Sequence, residues 1–425
     1  MQPHPNPGEG ARPEAPGVPA RRAALRLLDA VLRRGLPIEA ALGKATQGIE
    51  RADDRALAHA IAAETLRRLP DLDALIDSAT QRPLPDDAKA RTALRIALVQ
   101  ALRLGTPPHA AISTVLPLVD GGPRKLVHGV FGALMRQGAT LPELPTLPAP
   151  VHFRWAKSWG EEVAEAAARA IAMPPPLDLS LEAEDAERPD GVALLPRHQR
   201  IADAGSVRDL AGFDAGGWWV QDLAASLPAR LLGAGPGRVL DLCAAPGGKT
   251  LQLAAAGWQV TALDSSESRL ARLSDNLART GLSATIVTAD VLKWSPDAPF
   301  DAVLLDAPCS ATGIFRRHPD VLHRVTPKLI AEMADLQRRL LVRAADWVRP
   351  GGTLVYATCS LERAEGEDQL AAFLEARPDY ASMPVEAGEL PAGIPAGDCV
   401  RTLPGMIEGD GGLDGFFIAR LRRAG

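Results

Sequence analysis

Arg238-Val-Leu-Asp-Leu-Cys-Ala-Ala-Pro-Gly-Gly-Lys-Thr250 is the stretch whose reading decides the fold. Val239, Leu240 and Leu242 form a short apolar run with Asp241 at its carboxyl end, as in a buried strand. Pro246, Gly247 and Gly248 then force a turn before a helical pattern resumes. In an open parallel sheet, nucleotides bind in the crevice beyond the carboxyl ends of the strands. Glycines there allow close backbone approach, and the next helix presents free N–H groups. A phosphate-binding P-loop would need glycine five residues before Gly-Lys-Thr, and Cys243 stands there, so triphosphate hydrolysis is not expected.

Downstream, strand-like runs alternate with helical patterns, which predicts a doubly wound α/β sheet. The runs end in polar residues. Gln259-Val-Thr-Ala-Leu-Asp264 closes with an acid 23 residues after Asp241, near the roughly 20-residue spacing at which a carboxylate reaches a ribose diol. Thr285 to Asp290, Phe300 to Asp306 and Gly352 to Cys359 repeat the design. One acid at a strand end is commonly a helix cap; four reactive ends beside one glycine turn argue for a site.

The chain has 425 residues, beyond the size of a single core, so two to three domains are expected. Its 46% hydrophobic content supports globular folding, and no apolar run is long enough to span a membrane. Met1 to Ala20 has neither an apolar core nor a basic leader and reads as a disordered tail, not a secretory signal. Cys243, Cys309, Cys359 and Cys399 are scattered, with no Cys-x-x-Cys pair and no histidine at ligand spacing. This fits a reducing cytoplasm and no bound metal. The net charge is -5, unevenly spread: residues 1–145 hold 19 Lys and Arg against 15 Asp and Glu, leaving 28 against 37 beyond. An RNA partner would therefore need local patches. The candidates are Arg21-Arg22, Arg33-Arg34, Arg316-Arg317 and Arg338-Arg339, although any single pair is more simply a solvated helix face.

Toward the amino terminus, about Arg21 to Gly138 is helical by pattern with no strand signal. Leu25, Leu28 and Leu32 share one face. Leu94, Ala97, Leu98, Ala101 and Leu102 share another, and shorter stripes fall at Ile112 to Leu116 and Leu126 to Leu134. Proline-rich Leu141 to Pro150 reads as a linker. Trp155 and Trp159, expected in the core, lead into an alanine-rich helix to about Ala172, and Leu177-Asp-Leu-Ser-Leu looks like a strand. Near the far end, Leu329, Met333, Leu336 and Leu340 predict the buried stripe of a long helix, and Asp414-Gly-Phe-Phe-Ile-Ala-Arg-Leu a closing antiparallel strand.

Several of these motifs together resemble one family. Asp306-Ala-Pro-Cys309-Ser-Ala-Thr-Gly and Ala357-Thr-Cys359-Ser resemble the paired motifs of RNA 5-methylcytosine methyltransferases, and Asp241 with Cys243-Ala244-Ala245-Pro246-Gly247-Gly248-Lys249 resembles their S-adenosylmethionine loop. The His109-Ala-Ala-Ile-Ser-Thr-Val segment and the Lys125-Leu-Val-His-Gly-Val-Phe-Gly-Ala-Leu-Met-Arg helix resemble a NusB-type RNA-binding domain, so the chain is similar to the NusB-bearing Sun/Fmu family. The resemblance implies a cytoplasmic, monomeric enzyme acting on small-subunit ribosomal RNA. It implies cofactor contacts by the 243–249 loop, by Asp264 on the ribose, by Asp290 on the adenine amino group and by Asp306. It also implies Cys359 as nucleophile, Cys309 as the group that assists release, and Asp306 as the group that recognises the base. The chemistry explains such a pair: carbon 5 of cytosine is too weak a nucleophile until a thiolate adds at carbon 6, and the adduct must later be released.

Two positions depart from the family's pattern. Asp178 stands where a strand with arginine is usual, and Val321-Leu-His-Arg replaces Lys-Trp-Leu-Arg. The expected organisation is a tail over 1–19, a NusB-like all-α bundle over 20–140, a linker and small α+β subdomain over 141–233, and a Rossmann-like α/β methyltransferase domain over 234–425. The alternatives are another RNA substrate, such as transfer RNA, and a non-catalytic RNA-binding assembly factor.

Overall fold

The computed structural model describes residues 15–202 and 204–425. They divide into two units, one reaching Thr146 and one running from Leu147 to Gly425. The boundary falls six residues beyond the predicted end of the bundle, because the supposed linker is held at both ends. Arg68 donates to the carbonyls of Pro142 and Glu143 at 2.6 and 3.0 Å, the Thr146 N–H donates to Asp71 at 3.1 Å, and Pro150 already lies in the helix Ala149–Trp159. Most of the predicted tail, residues 1–14, lies outside the described residues. Val18 and Pro19, assigned to that tail, open the first helix, and Val18 is buried.

The first unit contains the helices Val18–Leu32, Ile38–Ala45, Ala52–Arg67, Leu69–Ser78, Lys89–Leu102, Pro108–Val115 and Gly121–Arg136, with no strand among its described residues. Lys89–Leu102 runs through the centre, burying every residue from Ala90 to Gln100. Two arginines survive there because they are paired: Arg91 grips Asp77 at 2.7 and 3.0 Å, and Arg95 grips Asp73 at 2.7 and 2.8 Å.

In the second unit, Ala149–Trp159 and Glu161–Ala172 form a helical pair turned at Gly160. A three-stranded antiparallel sheet follows, built from β1 (Leu177–Leu181), β2 (His198–Ile201) and β3 (Trp218–Val220) in the order β2-β1-β3. Asp178 acts structurally. Its buried carboxylate receives both Arg200 nitrogens at 2.6 and 2.7 Å and the Leu223 N–H at 2.9 Å, tying this sheet to the helix Leu223–Leu232. Burial opposes that charge, but Arg200 and His198 outweigh it and hold the carboxyl well below the usual range.

The main sheet contains β4 (Arg238–Leu242), β5 (Gln259–Asp264), β6 (Thr285–Thr288), β7 (Phe300–Asp306), β8 (Val348–Thr358), β9 (Tyr380–Ser382), β10 (Val400–Thr402) and β11 (Phe416–Arg423). Its order is β10-β11-β8-β7-β4-β5-β6, with β9 also on β11. β8, β7, β4, β5 and β6 are parallel, and β11 is antiparallel to β8. After β4 the chain steps outward through β5 and β6, then returns to lay β7 on the other side of β4. The order thus reverses between β4 and β7, opening a crevice where the 243–249 loop and Asp306 meet.

The long helix Pro327–Asp346 packs differently from its predicted stripe. Leu340 is buried as predicted, and so are Ile330, Gln337, Leu341 and Ala344, whereas Leu329, Met333 and Leu336 are only half-buried. A polar residue at the centre of the true stripe hides it from hydrophobic periodicity.

Candidate active site

Backbone constraint explains the shape of the loop after β4. Cys243 sits at φ 60° and Gly247 at φ 110°, both left-handed, and a Cβ on Gly247 would lie 2.3 Å from Leu273 Cδ1. Asp264 closes β5 and staples the loop: its carboxylate accepts from the Ala245 N–H at 3.2 Å and the Ser266 N–H at 2.9 Å. Ala244 donates to Leu263, and Arg269 donates to the Ala245 carbonyl while lying 3.4 Å from Asp264. Asp290 stands two residues beyond β6, half-exposed, and accepts the Leu292 N–H at 2.9 Å. Cys243, Asp264, Asp290, Val291, Leu336 and Leu340 line one cleft. Carboxylates and aliphatic side chains lining the same cleft suit a nucleoside, whose hydroxyl and amino donors can meet the acids and whose flat ring can meet the aliphatic side chains. The first turn of the helix Gly248–Ala255 adds unpaired N–H groups. These residues fit S-adenosylmethionine. Burial pushes the Cys243 thiol up, which leaves that cysteine a neutral wall of the cleft.

Beneath the loop, Thr250 donates its hydroxyl to the fully buried Asp241 at 2.5 Å. Burial, with Asp306 and Asp264 adding repulsion, pushes the Asp241 carboxyl up to about 7. A carboxyl raised in the folded state contributes stability in full below its unfolded value, and that contribution is lost as pH rises through about 7. Asp241→Asn should therefore flatten the pH dependence of stability between roughly pH 4 and 7, removing a slope of up to about 1.4 kcal/mol per pH unit. Denaturant titrations of both proteins across that range check it; identical slopes would contradict a proton held at Asp241.

At the other side of the crevice, the loop after β7 and the loop after β8 run side by side. The sulfurs of Cys309 and Cys359 are 3.4 Å apart, and both residues are partly accessible. Lys249 reaches across from the glycine loop to place its ammonium 2.7 Å from Asp306 Oδ2, with its Nζ 5.4 Å from the Phe416 ring centroid. Burial alone would lower the lysine, but Asp306 outweighs it and holds Lys249 above its ordinary value, fully charged. Cys243, Asp264 and Asp290 thus line one cleft that Pro308 also borders, while Asp306 is paired with Lys249 and Cys309 with Cys359 at the ends of β7 and β8.

One buried carboxylate beside the cysteines has no signal in the sequence. Glu365, fully buried, accepts the Ser310 N–H at 2.8 Å, the Ser310 and Ser360 hydroxyls, and Gln337 Nε2 at 3.0 Å. Ser310 and Ser360 directly follow the two cysteines, and Gln337 also donates to the Pro308 carbonyl at 2.9 Å. The same region is closed by a backbone contact: the Gly415 N–H donates to the Gly313 carbonyl at 2.9 Å, and a Cβ on Gly313 would lie 1.9 Å from the Gly415 oxygen.

The arginine pairs divide. Arg316 is buried between Asp222 and Asp414 at 3.5 and 3.2 Å, and Arg317 reaches Asp222 at 3.0 Å, so this pair is an internal clamp rather than an RNA patch. Arg21 is also buried, donating to Gln100 at 2.7 Å. Arg33-Arg34 and Arg338-Arg339 are exposed. Val321 and Leu322, at the second departure from the pattern, pack beside Trp155 and Phe315 in the core.

Strand order, glycine loop and acidic strand ends define a class I S-adenosylmethionine-dependent methyltransferase. Comparison with known proteins agrees. Residues 233–422 match the 16S rRNA methyltransferase RsmB/F family model, and residues 18–136 match the NusB family. The chain is 37% identical to Ribosomal RNA small subunit methyltransferase B of Xylella fastidiosa, covering 95% of this chain and 98% of that protein. It is 35% identical to the protein of the same name from Klebsiella pneumoniae, over 94% and 97% of the two chains. The solved structure of PH0851 superposes with a TM-score of 0.72 at 24% identity, over 97% of this chain and all of that one, which bears on the fold. The chain belongs to the RsmB/F family of RNA methyltransferases, carries a NusB-family domain ahead of the catalytic one, and uses S-adenosylmethionine.

Proposed function

We propose that the protein methylates carbon 5 of a cytosine in small-subunit ribosomal RNA through a covalent cysteine adduct. The observation that carries this reading is the pair of thiols 3.4 Å apart at adjacent strand ends, flanked by the Lys249–Asp306 ion pair. The substrate class follows the names of the relatives above, and the cytoplasm is where such RNA is met. None of the helices described is long and apolar enough to cross a membrane.

S-adenosylmethionine, when bound, supplies a sulfonium methyl group. The Cys359 thiolate adds to carbon 6 of a cytosine turned out of its stack, and the Lys249–Asp306 pair supplies the proton that ring nitrogen 3 then takes up. Asp306 also accepts from the exocyclic amino group, which uracil lacks. With carbon 5 now an enamine carbon, methyl capture follows. Cys309 removes the proton from carbon 5, ring nitrogen 3 gives its proton back to the Lys249–Asp306 pair, the carbon 5–carbon 6 double bond re-forms, and the Cys359–carbon 6 bond breaks to return the thiolate. Asp264 holds the ribose hydroxyls and Asp290 the adenine amino group.

Incubation with unmodified small-subunit ribosomal RNA, followed by nucleoside digestion and bisulfite mapping, should give 5-methylcytidine at a defined position. Methylation of transfer RNA instead, or of another atom, would overturn the substrate or the chemistry respectively. On the cofactor side, Asp264→Ala and Asp290→Ala should each weaken S-adenosylmethionine by about 1 to 3 kcal/mol. Asp264→Ala should be the larger loss, because that carboxylate also anchors Ala245. Titration calorimetry decides; unchanged affinity in both would remove these assignments.

A further inference from the structure

Two chemically identical thiols in contact need something to make them different. Burying an unpaired carboxylate costs stability, and an apolar residue of similar size would pack the same space without that cost. Glu365 is nevertheless fully buried beneath the pair, and its charge is met by neutral donors: two hydroxyls, one backbone N–H and one amide. Two of those donors belong to Ser310 and one to Ser360, each the residue after a cysteine, so a single carboxylate fixes both loops. The remaining charges are placed unevenly. Lys249, anchored by Asp306, is attracted to Cys359. Glu365 repels negative charge on Cys309. Of the other titratable groups near Glu365, the Tyr356 hydroxyl donates to its backbone carbonyl at 2.8 Å, and Arg401 donates to the Ser360 carbonyl while pairing with Glu367 at 2.9 Å.

We propose that Glu365 is the positioning residue that makes the two cysteines inequivalent: it clamps both loops and keeps the proton of the pair on Cys309, so that Cys359 carries the negative charge and attacks. The proposal rests on the covalent reading above and adds what assigns its roles. The hydrogen bond to Cys359 and burial, with Glu365 behind them, hold the Cys309 thiol well above its ordinary value. The first of these causes vanishes once Cys359 is bonded to carbon 6. Cys309 then ionises more readily, releasing its proton to solvent, and becomes able to take the carbon 5 proton. One arrangement thereby serves both halves of the cycle in order.

The test uses the full chain without RNA. Limiting iodoacetamide is applied across a pH series, and labelling at Cys309 and Cys359 is read by peptide mass spectrometry. In the wild type, Cys359 should label about tenfold faster than Cys309. In Glu365→Gln the ratio should fall toward one and the Cys309 labelling midpoint should move down by about one pH unit, with S-adenosylmethionine affinity kept within about twofold. Glu365→Asp, which keeps the charge, should keep the preference for Cys359. Loosened packing alone would speed labelling at both sites without moving the Cys309 midpoint. Faster labelling of Cys309 in the wild type, or an unchanged ratio and midpoint in a folded Glu365→Gln, would overturn the proposal. RNA containing 5-fluorocytosine separates this from the reading beneath it: no adduct with the wild type rejects the covalent route whatever the labelling shows, whereas an adduct together with an unchanged ratio rejects only the role of Glu365.

Discussion

Cys359→Ala should abolish methylation and form no covalent complex with RNA, whereas Cys309→Ala should accumulate an RNA adduct that survives denaturing gel electrophoresis. The two variants are expected to differ in kind because the residues act at opposite ends of one cycle. Without Cys359 nothing adds to carbon 6, carbon 5 stays too weak a nucleophile, and the methyl group has nowhere to go. Without Cys309 the addition and methyl capture still occur, but the carbon 5 proton stays in place, so the Cys359–carbon 6 bond cannot break. Spacing in the chain does not choose between the two thiols. The charges offer an asymmetry: Lys249 is attracted to negative charge on Cys359, whereas Glu365 repels it on Cys309. An adduct that accumulates with Cys359→Ala and is absent with Cys309→Ala would reverse the roles, and unchanged turnover in both would remove the covalent mechanism.

Asp306→Ala should lower kcat by about 10²- to 10⁴-fold, the range expected when a group that moves a proton in the transition state is removed. Lys249→Met should act in the same direction, because Asp306 then loses the ammonium 2.7 Å away that holds it in place. Since the two work as one unit, the double variant should be little worse than the poorer single one, a coupling that a double-mutant cycle on single-turnover rates measures directly. Retention of kcat within about threefold in Asp306→Ala would show that base recognition and protonation lie elsewhere.

Much of this architecture is legible in the sequence, for physical reasons. Strands buried on both faces read as apolar runs, and a ligand crevice at their carboxyl ends requires polar residues just where those runs stop. Asp264, Asp306 and Cys359 therefore stand out, whereas Asp290 follows the exposed edge strand β6. Features that depend on tertiary pairing do not. Glu365 lies among Glu362, Glu367 and Asp368 in a polar stretch, and only the fold shows that it turns inward. Gln337 broke the stripe of its helix because its amide is spent on Glu365 and Pro308. Arg316-Arg317 looked like a surface patch because Asp222 and Asp414, which neutralise it, are separated from it by about a hundred residues. The glycine contact between residues 313 and 415 was equally invisible, each being one glycine among 38.

That contact has a consequence for how tolerance to mutation would read out. A methyl group on Gly313 would meet the Gly415 carbonyl oxygen, and one on Gly415 would come within 2.5 Å of Leu361 and 3.0 Å of Gly313 Cα, so neither position can drift while the other stays. In a saturation scan scored by activity, both glycines should be as intolerant as the cysteines, even though neither carries a side chain that could take part in the reaction. A heat map of that kind, taken alone as a guide to chemistry, would mark Gly313 and Gly415 as catalytic, where they are only the place at which the closing strand meets the loop that carries Cys309.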